Sequence, residues 1–190
     1  DLKEKNLDEA VKHFLAASEV APDPARAALA MRAVEELNRG SREPEALKLL
    51  EETVKKGVKS PEILSELGDR LVAAARLPDA VAAYTDAAKA SPADPALWEL
   101  VGELQIKLDK PADAEAAFRE SLRVKDRGVV HASLARLCQA RKDTSCVKAE
   151  LDQALAKASG EEPRELLDIA DLLASLGRTA DALALLKGLA

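Results

Sequence analysis

The chain has 190 residues, 47% of them hydrophobic, yet one Trp, one Tyr and two Phe, so alanine and leucine must fill its core. That composition suits closely packed helices better than a sheet, because Ala and Leu favour helix while strands take β-branched and aromatic residues. A formal charge of −6 opposes nucleic-acid phosphates and anionic membrane surfaces, no apolar run is long enough to cross a bilayer, and Asp1 to Asn6 is charged rather than signal-like.

The first periodic segment, residues 1–22, aligns Ala10, Phe14 and Ala17 and is closed by Pro22. It reads as the second helix of a hairpin whose first helix the chain lacks. Asp23 to Arg26 reads as linker, and a hairpin over 27–60 follows, with Ala30, Ala33, Val34 and Leu37 inward on one helix and Ala46, Leu50 and Val54 on the other. The clearest unit covers 61–94. Ser60 can cap it, Pro61 fits a first turn where no backbone donor is missed, and Ile63, Leu64, Leu67, Gly68 and Leu71 form one helical stripe. A turn is expected near Leu77-Pro78-Asp79, before a second helix that buries Ala80, Val81, Tyr84, Ala87 and Ala88.

The unit over 95–127 repeats this logic with Asp94 as cap, Pro95, Trp98, Val101 and Gly102, then Ala114, Phe118 and Leu122. In 128–162, Leu134, Ala135 and Cys138 oppose Val147, Leu151 and Ala154; in 163–190, Leu166, Ile169, Ala170 and Leu173 oppose Ala182, Leu186 and Leu189. Leu183, Leu185, Leu186 and Leu189 run on with nothing polar after them. A solenoid needs polar terminal helices, so this end reads as part of a longer protein or as a self-associating surface.

Ala46, Ala80 and Ala114 lie 34 residues apart (80 − 46, 114 − 80), as do Gly68 and Gly102, and a period of that length marks an array of helical hairpins. Small residues at Gly68/Ala80 and Gly102/Ala114 let two helices approach closely. Trp98, Val101, Gly102, Ala114 and Phe118, with Leu64, Leu67, Gly68, Ala80, Tyr84, Ala87 and Pro92, resemble the pattern of the tetratricopeptide repeat family. Val34 and Ala135 depart from its Gly, and Val147 from its Ala. The resemblance implies one all-α domain, a right-handed superhelical solenoid of five antiparallel helix pairs plus a leading single helix.

Little in the chain points to catalysis. His13 and His131 have no Cys, His or carboxylate at metal-ligand spacing, and both read as structural. No phosphate loop, nucleophile elbow or metalloprotease pair occurs, so neither an enzyme nor a metal or cofactor is expected. Cys138 and Cys146 flank a turn at Lys142-Asp143 almost symmetrically. A disulfide there would place the chain in an oxidising compartment such as a bacterial periplasm or cell envelope; two small core fillers would suit a reducing cytoplasm, and both readings stand. Trp98, Tyr84 and Phe118 read as core rather than as a ligand box.

In the resembling family the first helices line a concave face. Carried onto this chain at i, i+4 and i+7, that face comprises Met31, Glu35 and Asn38; Ser65, Asp69 and Val72; Glu99, Glu103 and Ile106; Ala132, Arg136 and Gln139; and Leu167, Asp171 and Ala174. Its acids favour a partner rich in Lys or Arg, and they would repel the terminal carboxylate that the chaperone-binding subclass clamps. A scaffold that holds a peptide or protein surface in this groove is the resulting expectation, with Glu99 and Glu103 foremost. The Ala- and Leu-rich composition looks bacterial. The alternatives are a structural or oligomerisation arm of a bacterial envelope or secretion assembly, and an RNA-reading helical array, which the acidic charge opposes.

Overall fold

A computed structural model describes residues 2–188, and their side chains apart from 2–6 and 23. Among these residues eleven α-helices follow one another without a strand: α1 Leu2–Val20, α2 Asp23–Arg39, α3 Glu43–Lys55, α4 Pro61–Ala73, α5 Leu77–Ala90, α6 Pro95–Lys107, α7 Pro111–Val124, α8 Gly128–Ala140, α9 Thr144–Lys157, α10 Pro163–Ser175 and α11 Thr179–Lys187. The chain divides into two compact units, residues 1–92 and 93–190. In the first, α1 packs on α2, α2 on α3 and α4, α3 on α4, and α4 on α5. In the second, α6–α7, α8–α9 and α10–α11 form hairpins, with α7 and α10 also packed on α8.

Helix starts follow the expected chemistry. The Ser60 side chain accepts from the Ile63 N–H at 3.3 Å, and Asp94 accepts from Ala96 at 3.0 Å. Asp23 to Arg26 is not linker but the first turn of α2, because Pro24 sits where a helix misses no donor. Arg26 also donates to the carbonyls of Ser18 and Ala21, both at 3.1 Å, which ties this turn to the end of α1. Phe14 and Ala10 are half-buried, but Ala17 is exposed rather than inward.

The turn expected at Leu77-Pro78-Asp79 lies earlier, since those residues already belong to α5. The chain reverses at Ala75, whose φ is 56°, and the Arg76 N–H closes back on the Leu71 carbonyl at 2.8 Å, ending α4 with the left-handed cap that stops many helices. The same device recurs at Ser41 (φ 54°), Asp109 (φ 56°), Lys142 (φ 59°) and Gly177 (φ 81°). Four of these five positions lack glycine, which hides the turn from the sequence and leaves Pro78 as a misleading marker.

The core explains both the glycines and the aromatics. A Cβ on Gly68 would lie 2.7 Å from Tyr84 Cζ, and one on Gly102 would lie 2.6 Å from Phe118 Cε1. The close approach is thus glycine to a ring sixteen residues on (84 − 68, 118 − 102), rather than glycine to Ala80 or Ala114. At the same register Val34, Ala135 and Ala170 stand sixteen residues before Leu50, Leu151 and Leu186, so where the first position grows the second shrinks. Close packing requires that trade, because interiors have no spare volume. Tyr84 and Phe118 are buried as expected, whereas Trp98 remains partly exposed. Leu189, expected to be inward, lies outside the described residues.

Candidate functional site

The expected first-helix residues separate into exposed and inward groups in each unit. On α2, Glu35 is exposed and pairs with Arg32 at 3.0 Å, while Met31 and Asn38 are half-buried, the Asn38 Oδ1 having no hydrogen-bond partner. On α4, Asp69 is exposed and accepts the Tyr84 hydroxyl at 2.5 Å; burial, with Asp69 beside it, pushes the Tyr84 phenol upward. Between α2, α4 and the segment before α4 opens a hollow of about 690 Å³, lined by Pro24, Ala27, Met31, Val58, Lys59 and Glu62 among others.

In the second unit Glu103 and Ile106 of α6, Arg136 and Gln139 of α8, and Leu167, Asp171 and Ala174 of α10 are exposed. Arg136 donates to the Asp168 carbonyl at 3.2 Å, so that side chain follows the neighbouring helix. Ala132, expected on the open face, is fully buried because α8 lies between α9 and α10.

Glu99, foremost of the expected groove residues, does not stand free. It accepts from Arg127 at 3.0 Å and from the Ser121 hydroxyl at 3.1 Å, and burial pushes its carboxyl upward despite Arg127. Arg127 also reaches Glu161 at 2.8 Å and Glu165 at 2.5 Å, so one guanidinium joins α6, the approach to α8, and the start of α10. Glu161 further accepts the Val129 N–H at 3.2 Å. Burial alone would raise Glu165, but hydrogen bonding with Glu161, Arg127 and the Glu162 N–H outweighs it and holds that carboxyl below its ordinary value. The local peptide explains the placement: Glu165 is the third residue of α10 and closes a capping box with Glu162.

His131 has partners that sequence spacing did not suggest. It is buried, with Nδ1 2.6 Å from Glu150 Oε2 and Nε2 2.9 Å from Asp126 Oδ1; Arg119 holds Glu150 at 2.7 Å and Lys157 holds Asp126 at 2.6 Å. Lys157 and His131 together keep Asp126 below the usual carboxylate range. Glu150 arrives from α9, nineteen residues away (150 − 131), a separation that only the hairpin closes. His13, by contrast, is exposed.

A repeated arginine clamp was also missed. Arg76, at the start of α5, binds Asp79 three residues on and Glu51 of α3, both at 2.6 Å; Arg178, at the start of α11, binds Asp181 at 2.6 Å and Asp152 of α9 at 2.7 Å. Arg42 likewise joins Glu45 to Asp8 of α1, and Arg141 binds Glu115 of α7. The 34-residue step from Arg42 to Arg76 carries the signal (76 − 42), and an acid follows each three positions later.

Cys138 near the end of α8 and Cys146 near the start of α9 have Cα atoms 5.7 Å apart, with their sulfurs joined across the turn. That span is one a disulfide bridges. Among the described residues no cluster of three or more His, Cys, Asp or Glu side chains is placed to hold a metal, and no helix is long and apolar enough to cross a membrane.

No protein-family model and no curated protein of related sequence matches the chain. Solved structures do. A tetratricopeptide repeat protein from Parabacteroides merdae superposes with a TM-score of 0.63 at 20% identity, covering 98% of this chain and 73% of that one. TTC0263, a thermophilic TPR protein of Thermus thermophilus, gives 0.54 at 21% identity over 82% of this chain and 86% of its own. BtubC from P. vanneervenii gives 0.65 at 14% identity, covering 98% and 89%. The chain therefore has the tetratricopeptide-repeat fold, an all-α array of helix hairpins.

Proposed function

We propose that the chain is a non-enzymatic scaffold that holds a peptide or protein surface on the faces of its first helices. The observation that carries this reading is the hollow of about 690 Å³ beside α2 and α4, whose mainly apolar wall includes Met31. An apolar side chain of a partner gains free energy by leaving water there, roughly 25 cal/mol per Å² of apolar surface removed. Exposed Glu35 and Asp69 lie on the same helices, and Glu103 and Asp171 on first helices of the other unit. The lining itself carries one carboxylate, Glu62, and one ammonium, Lys59, so it is the exposed carboxylates farther along the first helices that favour a segment alternating apolar anchors with Lys or Arg. Glu99 has no part in this, because it is half-buried against Arg127 and Ser121, whereas Glu35 and Asp69 are exposed. Stacked helices fix the side chains before binding, so ordering entropy falls mostly on the partner.

Affinity capture from native lysate, quantified by mass spectrometry, tests the reading with three baits: wild type, Met31→Asp, and Glu35→Lys with Asp69→Lys. A protein enriched by wild type and reduced at least tenfold by both variant baits supports it. Equal recovery by all three overturns it.

A further inference from the structure

We propose that the hollow between the α8–α9 turn and the α10–α11 turn is a docking pocket for an acidic peptide segment that presents an aliphatic side chain beside its carboxylates. This goes beyond the first-helix reading and stands independently of it. The hollow is about 320 Å³. Its floor is apolar, built by Val147 and Leu151 of α9 and by Leu176 just past α10, and its rim carries Lys142, Lys148 and Arg178.

The charges at the rim divide into spent and available ones. Arg178 is engaged by Asp152 at 2.7 Å and Asp181 at 2.6 Å. The Asp143 carboxylate, next to Lys142, is turned to its own helix, accepting the Cys146 N–H at 3.0 Å and the Ser145 hydroxyl at 2.7 Å. Lys142 and Lys148 are exposed and have no ion-pair partner among the described residues. Two ammonium groups without an ion-pair partner therefore stand beside an apolar floor whose lining holds no carboxylate, in a chain whose net charge is −6. The floor supplies affinity for an aliphatic side chain, and the lysines select the sign of its neighbours. A basic segment suited to the carboxylates of the first helices is disfavoured here, and an acidic one is admitted.

Amide resonances of the full chain, followed by two-dimensional NMR, test this with two acetylated and amidated peptides: two leucines flanked on each side by aspartates, and the same leucines flanked by lysines. The aspartate peptide is expected to give saturable shifts at Thr144, Val147, Lys148 and Leu176, and the lysine peptide none there. In Lys142→Glu/Lys148→Glu, whose exposed positions leave the packing intact, binding of the aspartate peptide is expected to weaken at least tenfold. Absence of shifts at these four residues, equal response to both peptides, or undiminished binding by the double variant overturns the proposal. An aspartate-peptide response confined to α2 and α4 would also overturn it and would count against the first-helix reading, whereas a lysine-peptide response there leaves that reading untouched.

Discussion

The two units share the helix hairpin and an exposed arginine clamp between successive copies, Arg76 with Glu51 in one and Arg178 with Asp152 in the other, and the second unit adds a more buried link. In residues 1–92 the joining charges lie in water: Arg76 and Glu51, which link α5 to α3, keep side-chain exposures of 45% and 39%. In residues 93–190 Arg127 and Glu161 keep 16% and 2%. Exposed pairs contribute little, about 0–1 kcal/mol, whereas breaking a buried pair strands a charge at a cost of about 3–5 kcal/mol. The repeat thus fixes where hairpins meet but not all that joins them, and the second unit is the one made vulnerable to single charge changes.

The sharpest way to break this contrast is to remove one arginine from each unit. Arg127→Ala leaves Glu99, Glu161 and Glu165 without their shared cation, and the second unit is expected to lose about 3–5 kcal/mol. Arg76→Ala, with solvent-screened partners, is expected to leave the denaturation midpoint close to that of wild type. Denaturant melts read both values, and hydrogen exchange resolved by helix assigns each loss to its unit. Equal losses would show that the burial difference has no energetic consequence.

Next in size is the link between Cys138 and Cys146, eight residues apart in the chain. Closing so short a loop is expected to stabilise the second unit by about 2–3 kcal/mol through the unfolded chain. Alkylation of the unreduced, denatured protein should add no mass, and a reductant should lower the melting midpoint. Two alkyl groups on unreduced protein would show two free thiols instead.

Smaller again is the glycine–ring contact, which both units share. Gly102→Ala pushes a methyl into the Phe118 ring and is expected to cost about 1–3 kcal/mol. Adding Phe118→Leu reproduces the pairing of Ala135 with Leu151, so the double variant should be less destabilised than the sum of the two single ones. Additive costs in a double-mutant cycle would remove the size-trade argument.

How much of this was readable in the sequence follows from the range of each interaction. Hairpins, caps and core stripes arise from residues a few positions apart or one period apart, and Ser60, Asp94, Tyr84 and Phe118 behave as their spacing implies. Turns at Ala75 and Asp109 were hidden because non-glycine residues took the left-handed conformation. Glu99 was misplaced because surface assignment by i, i+4 spacing sees one helix at a time, whereas its cation comes from Arg127, twenty-eight residues on. The pairing of His131 with Glu150, nineteen residues on in α9, is invisible to spacing along one helix for the same reason. Glu35, Asp69, Glu103 and Asp171 are exposed, although Glu35 pairs with Arg32 on its own helix and Asp69 accepts from Tyr84 of α5.

The smallest effect sharpens the contrast through pH. Burial raises Glu99 above the ordinary glutamate value of 4.5 even with Arg127 beside it, so the folded chain holds this proton more tightly than the unfolded chain. Stability changes with pH according to protons bound unfolded minus protons bound folded, and that difference is negative here. Glu99's contribution is accordingly full below its unfolded value and is lost as pH rises through its folded one. Glu165 has the opposite sign: its carboxyl is held low, so its contribution is present above the ordinary value and is lost as pH falls. Glu99→Gln removes only the first of these while keeping an acceptor for Arg127 and Ser121. Between mildly acidic and neutral pH, the stability of wild type relative to Glu99→Gln should therefore fall as pH rises, measured as the gap between their melting midpoints. If wild type instead gains on the variant with rising pH, ionised Glu99 is a net stabiliser, and attraction to Arg127 outweighs its burial.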